Sequence, residues 1–167
     1  MDRIEIVAAA NPGEIEQVRS LFQAYAAWLD VDLCLQDFGR ELAALPGSYA
    51  PPRGRLLLAR AGGEAAGCVG LRPLDHDRCE MKRLWVEPGF AGRGIGRRLA
   101  ETIVAAGRAL GYRAMRLDTL PDRQKAARHL YRSLGFREIT DHPPEGVATF
   151  ELTYRPATDP SNQSARS

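Results

Sequence analysis

Cysteine is scarce in this sequence of 167 residues, which contains only Cys34, Cys68 and Cys79. An odd, widely spaced set argues against a disulfide framework, and it lacks the paired spacing of a zinc site. We therefore expect neither a disulfide scaffold nor a bound metal.

Long apolar runs are also absent. None approaches the roughly 18 residues that a membrane-spanning helix needs, and residues 1–6 contain no apolar signal region. We expect a cytoplasmic protein that does not enter the membrane.

A large excess of charge of either sign is missing, since 23 basic residues face 21 acidic ones and the formal net charge is +2. This balance gives no reason to expect nucleic acid as a partner. The hydrophobic fraction of 44% and the charged fraction of 26% are typical of a globular protein. We assign residues 1–155 to one domain and expect the polar residues 156–167 to be a disordered tail.

The first half of the chain contains a β-prone segment, two helical segments and three apolar strands. Asn11-Pro12 is typical of a helix start, with asparagine as the N-cap and proline at the first helical position. The apolar stripe of this helix recurs at helical spacing as far as Leu29. The strands, joined by tight turns, predict an antiparallel meander. The predicted ranges are residues 4–8 for the first strand, 36–45 for the second helix, and 55–60, 65–71 and 79–86 for the meander.

The last strand of that meander alternates imperfectly. Strict alternation would place Met81 and Trp85 on one face and Leu84 and Val86 on the other. The irregular pattern indicates a β-bulge within residues 83–86, which would splay this strand from its neighbour.

The second half predicts a glycine-rich turn and a helix that stops at Gly111. A strand that follows a helix is expected to run parallel to the strand before that helix. Another helix should open at Pro121 and end at Gly135, before a closing hairpin. The predicted strands are residues 114–117, 136–140 and 147–154.

A strand followed by a glycine-rich turn and a helix can hold phosphate on backbone N–H groups. A Walker loop requires Gly-Lys-Ser/Thr, which is missing here. A dinucleotide fingerprint requires a third glycine, where this chain has Arg97 or Leu99. Asp118 follows the glycines by about 20 residues in the sequence, as the ribose-binding acid of that fingerprint does. This one match does not replace the missing glycine.

Two other motifs carry a family resemblance. Ala91-Gly92-Arg93-Gly94-Ile95-Gly96 resembles the pyrophosphate loop Gln/Arg-x-x-Gly-x-Gly/Ala, with Ala91 as a departure. Leu130-Tyr131-Arg132-Ser133-Leu134-Gly135-Phe136 matches Leu-Tyr-x-x-x-Gly-Phe in full. In their order and spacing, these two motifs resemble those of the GNAT superfamily of N-acetyltransferases. The resemblance covers residues 4–154.

The resemblance implies an α+β fold with α/β/α layers. Its central sheet would be mixed and mainly antiparallel, with about six to seven strands, a splayed strand pair and about four helices. It also implies transfer of an acetyl group from acetyl-CoA, as co-substrate, to an amine by direct attack in a ternary complex, without a metal.

The resemblance further implies the residues that bind CoA. Pantetheine would pair with the backbone of the bulged strand, and the pyrophosphate would lie on the N–H groups of the glycine loop. Gln124 stands where the family often has asparagine. The implied contacts are Leu84, Trp85, Val86, Gly92, Arg93, Gly94, Ile95, Gly96, Arg97, Gln124 and Tyr131.

Tyr131 and Glu80 are the candidate catalytic residues. The resemblance implies that Tyr131 protonates the departing thiolate, whereas the spacing of Tyr131 alone also fits a core aromatic. Glu80 is the candidate base, and a surface glutamate paired with Lys82 or an arginine is the alternative. His129 and His142 are rival bases, and Cys79 is a weaker candidate for a covalent acyl-enzyme.

The acceptor is less well specified. The first two helices and residues 141–146 should line its cleft, and Tyr25, Trp28 and Tyr49 could contact it. A small amine, an amino acid, a peptide N-terminus and a protein lysine all remain open, as does a homodimer, which is common among such enzymes. A non-catalytic acyl-CoA sensor and a dinucleotide-binding protein are the alternative functions.

Overall fold

One mixed sheet of seven strands organises the described part of the chain. The computed structural model describes residues 3–29, 35–119, 125–139 and 147–154. The strands are β1 (Ile4–Ala8), β2 (Arg55–Ala61), β3 (Glu64–Pro73), β4 (Arg78–Val86), β5 (Ala114–Thr119), β6 (Arg137–Ile139) and β7 (Ala148–Thr153). The helices are α1 (Pro12–Leu29), α2 (Leu35–Ala44), α3 (Ile95–Ala109) and α4 (Lys125–Ser133).

The strands lie in the order β1-β2-β3-β4-β5-β7-β6. Only the β4–β5 pair is parallel, and the other neighbours in the sheet are antiparallel. The predicted fold class is therefore confirmed, including the meander, the parallel strand after α3 and the closing β6–β7 pair.

Local signals in the sequence set the ends of the helices. At the start of α1, the side chain of Asn11 accepts a hydrogen bond from the Glu14 N–H at 2.8 Å. The Glu14 carboxylate accepts the Asn11 N–H in return at 3.2 Å, which completes a capping box. Gly111 and Gly135 follow α3 and α4 with φ of +90° and +100°, the left-handed conformation that ends a helix.

Helices cover both faces of the sheet and define two apolar cores. On one face, α1 and α2 pack over the sheet around Val18, Phe22 and Leu58. On the other face, α3 and α4 pack over the sheet around Leu99 and Ile103 of α3 and around side chains of β5 and β7. Any site in the middle of the sheet is thus open only at the strand ends and between strands that separate.

The predicted bulge in β4 is present, but the predicted faces of its side chains are wrong. Cys68 of β3 pairs with Trp85, and Gly70 pairs with Lys82, so that two residues of β4 lie opposite one residue of β3. Arg83 is one of those two, with φ of +63°. The inserted residue reverses the alternation beyond it. Leu84 and Val86 therefore pack in the core of Met81, and Trp85 packs on the opposite face.

Candidate active site

The neighbouring strands β4 and β5 separate in the middle of the sheet. They pair only from Arg78 with Ala114 to Glu80 with Arg116. Beyond that point, residues 81–86 of β4 have no partner in β5. The gap between the two strands is named here the wedge. A small cavity of about 40 Å³ lies in it, lined by Leu84 of β4, Leu117 of β5 and Tyr131 of α4. The unpaired edge leaves backbone polar groups available to a ligand that resembles a peptide.

The glycine loop leads from β4 into α3. Gly92 and Gly94 have φ of +80° and +77°, which side chains rarely adopt. Gly94 is the N-cap of α3 and provides no side-chain hydrogen bond. The first helical hydrogen bond runs from the Arg98 N–H to the Gly94 carbonyl at 3.1 Å. The N–H groups of Ile95, Gly96 and Arg97 thus lack intrahelical acceptors, as an anion site requires.

The arginines around the loop have different neighbours. The Arg93 guanidinium lies 5.4 Å from the centroid of the Phe90 ring. Arg97 donates to the Ser133 hydroxyl at 2.8 Å and so connects α3 to α4. Arg98 donates to the Ile4 carbonyl at 3.2 Å, toward β1. The Arg93 side chain thus packs beside the loop, whereas Arg97 reaches α4 and Arg98 reaches β1.

Tyr131 is 5% exposed and lines the wedge. Its ring packs against Phe136 at 5.9 Å and Phe150 at 6.3 Å between centroids. Gly135 ends α4 so that the Phe136 N–H reaches the Tyr131 carbonyl at 3.0 Å, which explains the spacing of the Leu-Tyr-x-x-x-Gly-Phe motif. Burial raises the pKa of the Tyr131 phenol, and the nearby Tyr25 raises it further.

Glu80 occupies the last paired position before the wedge. It is 8% exposed, and its carboxylate accepts a hydrogen bond from Arg72 Nε at 3.0 Å. Glu80 thus has the arginine partner of the alternative interpretation, but it is buried rather than at the surface.

A larger groove of about 500 Å³ lies beneath α2, on the face of the sheet that α1 covers. Arg83 donates two hydrogen bonds to the Glu41 carboxylate, at 3.0 and 3.1 Å. Tyr49 donates to the same carboxylate at 3.0 Å. This cluster of Glu41, Tyr49 and Arg83, named here the α2 clasp, holds α2 on the bulge of β4. Lys82 lines both the groove and the wedge.

The α2 clasp and Lys82 were missed by the sequence reasoning. Glu41 and Arg83 are 42 residues apart, and no local pattern joins them. A signal for Lys82 did exist, because it is one of two lysines in the chain and lies on the strand that leads into the glycine loop.

Other candidates take different positions. Cys79 has a buried thiol whose pKa rises to about 12 through burial, which disfavours the thiolate that an acyl-enzyme needs. His129 lies exposed on α4. The Trp85 side chain packs against Tyr25 and Trp28 of α1, at 6.1 and 5.4 Å between ring centroids, so this side chain lies beneath α1 and not in the wedge. Tyr49 is 1% exposed within the α2 clasp.

Several predicted features lie outside the described residues. They are Gln124, His142, Cys34, the helix start at Pro121, the loop of residues 141–146 and the tail of residues 156–167. Within the described ranges, no helix is both long and apolar enough to span a bilayer.

Comparisons with known proteins identify the family of this chain. Residues 15–136 match the model of the acetyltransferase (GNAT) family. An uncharacterized N-acetyltransferase of Schizosaccharomyces pombe is 39% identical over 136 residues, which cover 80% of this chain and 83% of that protein. The N-alpha-acetyltransferase RimI of Mycobacterium tuberculosis is 32% identical over 117 residues, covering 68% and 71%.

A solved structure shows the same fold. The PaiA N-acetyltransferase from Thermoplasma acidophilum, solved in complex with coenzyme A, superposes with a TM-score of 0.70. The two sequences are 18% identical, and the match covers 91% of this chain and 99% of that one. On the family match and the relative from Schizosaccharomyces pombe, this chain belongs to the acetyltransferase (GNAT) family and is an N-acetyltransferase.

Proposed function

We propose that this N-acetyltransferase uses acetyl-CoA and transfers the acetyl group directly to a primary amine in a ternary complex. The observation that carries the proposal is the wedge between β4 and β5, which Tyr131 lines. A related fold, the PaiA enzyme, was solved with coenzyme A. When bound, acetyl-CoA supplies an acetyl group activated as a thioester.

The chain offers matching groups for the parts of acetyl-CoA. The free N–H groups at the start of α3 suit the pyrophosphate, because they combine donors with the positive end of the helix dipole. The backbone of Leu84 and Val86 suits the amides of pantetheine, because β4 has no partner in β5 on that side, while its other side pairs with β3. A Cβ at Gly94 would meet no atom within 4 Å, so the loop leaves space for a phosphate.

Glu80 and Tyr131 divide the proton transfers in the proposed reaction. Glu80 accepts a proton from the acceptor amine, directly or through water, and so makes the nitrogen a nucleophile. The Val86 N–H polarises the thioester carbonyl. As the new C–N bond forms, the nitrogen releases its second proton to water. As the C–S bond breaks, Tyr131 gives its proton to the sulfur and then regains one from solvent. The raised pKa of Tyr131 keeps the phenol protonated across the neutral range, as an acid requires.

Replacing Glu80 by glutamine tests the base. We expect kcat to fall about 100-fold near neutral pH, since general bases contribute about 10²–10⁴-fold. The rate should recover as pH rises, because more acceptor amine is then neutral without help. The pH profile of kcat measures this.

The control for Glu80→Gln is Arg72→Gln, which breaks the same ion pair but leaves the carboxylate. We expect Arg72→Gln to cause a smaller loss. Equal losses in both variants, with an unchanged shape of the pH profile, would show that Glu80 acts only through the ion pair.

Thermal unfolding with ligands tests the donor and the glycine loop. Acetyl-CoA and CoA should raise the Tm of the protein and NAD should not, since only a ligand of the native state stabilises it. Gly94→Ala should reduce the shift with acetyl-CoA, because its φ of +77° opposes a side chain. Gly89→Ala is the control, since that glycine lies outside the left-handed region and has open space around it. A shift with NAD, or none with CoA, would refute the proposed donor.

A further inference from the structure

The groove beneath α2 is unusually rich in charge. Its lining includes the cations Arg40, Arg72, Lys82 and Arg83 and the anions Asp37 and Glu41. Glu80 is ion-paired with the Arg72 of this lining. Four cations therefore face three carboxylates in this groove, which leaves it with one excess positive charge. A further carboxylate, Asp118, lines the wedge with Lys82, but it is exposed to solvent and accepts a hydrogen bond from the Thr149 hydroxyl at 2.7 Å.

Ion pairs show which positive charge is in excess. Glu41 holds Arg83 in the α2 clasp, and Glu80 holds Arg72. Arg40 lies exposed on α2, where water screens it. Lys82 is only partly exposed, and no described residue forms a hydrogen bond or an ion pair with it. A charge that is largely removed from water normally has a partner.

The surroundings of Lys82 favour an anion that arrives with a ligand. Burial lowers the pKa of Lys82, the positive charges of Arg83 and Arg72 lower it further, and Glu80 and Glu41 act in the opposite direction. A bound anion would restore the missing counter-charge. Lys82 also lines the wedge that holds Tyr131, so an anion at Lys82 would lie beside the proposed reaction centre.

We propose that Lys82 binds a carboxylate of the acceptor, so that the acceptor is a small amine that itself carries a carboxylate. This inference rests on the proposed function of acetyl transfer to an amine. A groove of about 500 Å³ has the size of a small-molecule site. The single unbalanced charge matches a carboxylate better than a phosphate dianion.

The test compares amino acids with their amides. Glycine, L-alanine, L-phenylalanine and β-alanine are each assayed for CoA release beside the matching amide, with the wild type and with Lys82→Met. We expect the ratio of kcat/KM for carboxylate over amide to fall roughly tenfold or more in Lys82→Met, the size of a lost charge-assisted hydrogen bond. An amino acid and its amide differ in the basicity of their amines, but this difference affects the wild type and Lys82→Met equally. It therefore cancels when the ratios of the two proteins are compared.

Two variants serve as controls. Lys82→Arg keeps the charge and should keep most of the ratio. Arg137→Met removes a cation from the exposed surface of β6 and should leave the ratio unchanged. A second measurement, independent of turnover, is the thermal shift that N-acetyl-L-alanine and its amide cause in the CoA-loaded protein. The carboxylate should stabilise the wild type more than the amide does, and this difference should be lost in Lys82→Met.

The outcomes separate this inference from the proposed function. Absence of a shift with acetyl-CoA refutes the proposed function. Turnover that favours amides, or an equal ratio and equal shifts in the wild type and Lys82→Met, overturns the carboxylate assignment while acetyl transfer stands. Acetylation of Lys82 after incubation with acetyl-CoA alone, detected by mass spectrometry, would also overturn the assignment, because the lysine would then be an acceptor rather than an anion site.

Discussion

Tyr131→Phe is expected to lower kcat by about 100-fold to 1,000-fold while CoA affinity stays within about threefold, since general acids contribute about 10²–10⁴-fold. The variant removes only the hydroxyl that would protonate the sulfur. No hydrogen bond joins this hydroxyl to another described residue, and the ring contacts with Phe136 and Phe150 persist. Stability should therefore change little. Steady-state kinetics and CoA titration by calorimetry measure the two effects.

Tyr154→Phe is the matched control. Tyr154 is also a buried phenol, and its hydroxyl donates to the Val104 carbonyl at 2.7 Å, away from the wedge. We expect Tyr154→Phe to cost some stability and to leave kcat within about twofold, because a lost hydrogen bond costs about 1 kcal/mol without touching the reaction. A loss of kcat in Tyr131→Phe no greater than in this control would show that Tyr131 is only a core aromatic.

Arg83→Met should have the largest effect on stability. The side chains of Arg83 and Glu41 are 9% and 13% exposed. Removing the cation leaves a buried carboxylate without its partner, which costs about 3–5 kcal/mol. The backbone strain at Arg83, with φ of +63°, is present in both proteins and so cancels. Urea unfolding measures the difference in the free energy of unfolding.

The ion pair of Arg78 with Asp75 is the control for Arg83→Met. Arg78 begins the same strand, β4, and Asp75 precedes that strand, but both side chains are exposed to solvent. Arg78→Met should change stability far less. The double variant Arg83→Met/Glu41→Leu should regain much of the loss, because it removes the unpaired carboxylate as well. A small effect of Arg83→Met, similar to that of Arg78→Met, would contradict a stabilising role for the α2 clasp.

The effect of Arg83→Met should depend on pH. Burial alone would raise the pKa of Glu41, but the hydrogen bond and charge of Arg83, with the Tyr49 hydroxyl, lower it below its ordinary 4.5. A lowered pKa in the folded state stabilises the fold above pH 4.5, and this contribution disappears as pH falls through the folded-state pKa. The difference between wild type and variant should thus be largest near neutral pH and should shrink in acid.

Features with a local cause could be predicted from the sequence. Asn11 and Pro12 mark the start of α1, Gly111 and Gly135 mark the ends of α3 and α4, and apolar runs give the strands. In each case, neighbouring residues alone decide the backbone conformation. The resemblance to a known family extended the prediction to the splayed strands. The spacing of its second motif reflects how Gly135 and Phe136 place the ring of Tyr131.

Features with a distant cause could not be predicted. The faces of Leu84, Trp85 and Val86 were wrong because one inserted residue, Arg83, reverses a period of two, and only pairing with β3 shows which residue is inserted. The α2 clasp joins residues far apart in the chain, and only folding brings them together. Local periodicity indicates that a residue is buried, but it does not identify its partner.

The short parallel seam between β4 and β5 has a consequence for substitutions far from the wedge. Only three residue pairs join the two halves of the sheet there, so backbone pairing constrains their relative angle weakly. Side-chain packing beneath α3, around Ile103 and Met115, then sets how far the strands diverge. The width of the wedge is therefore specified by volumes in the core, and affinity for a ligand becomes sensitive to residues that never touch it.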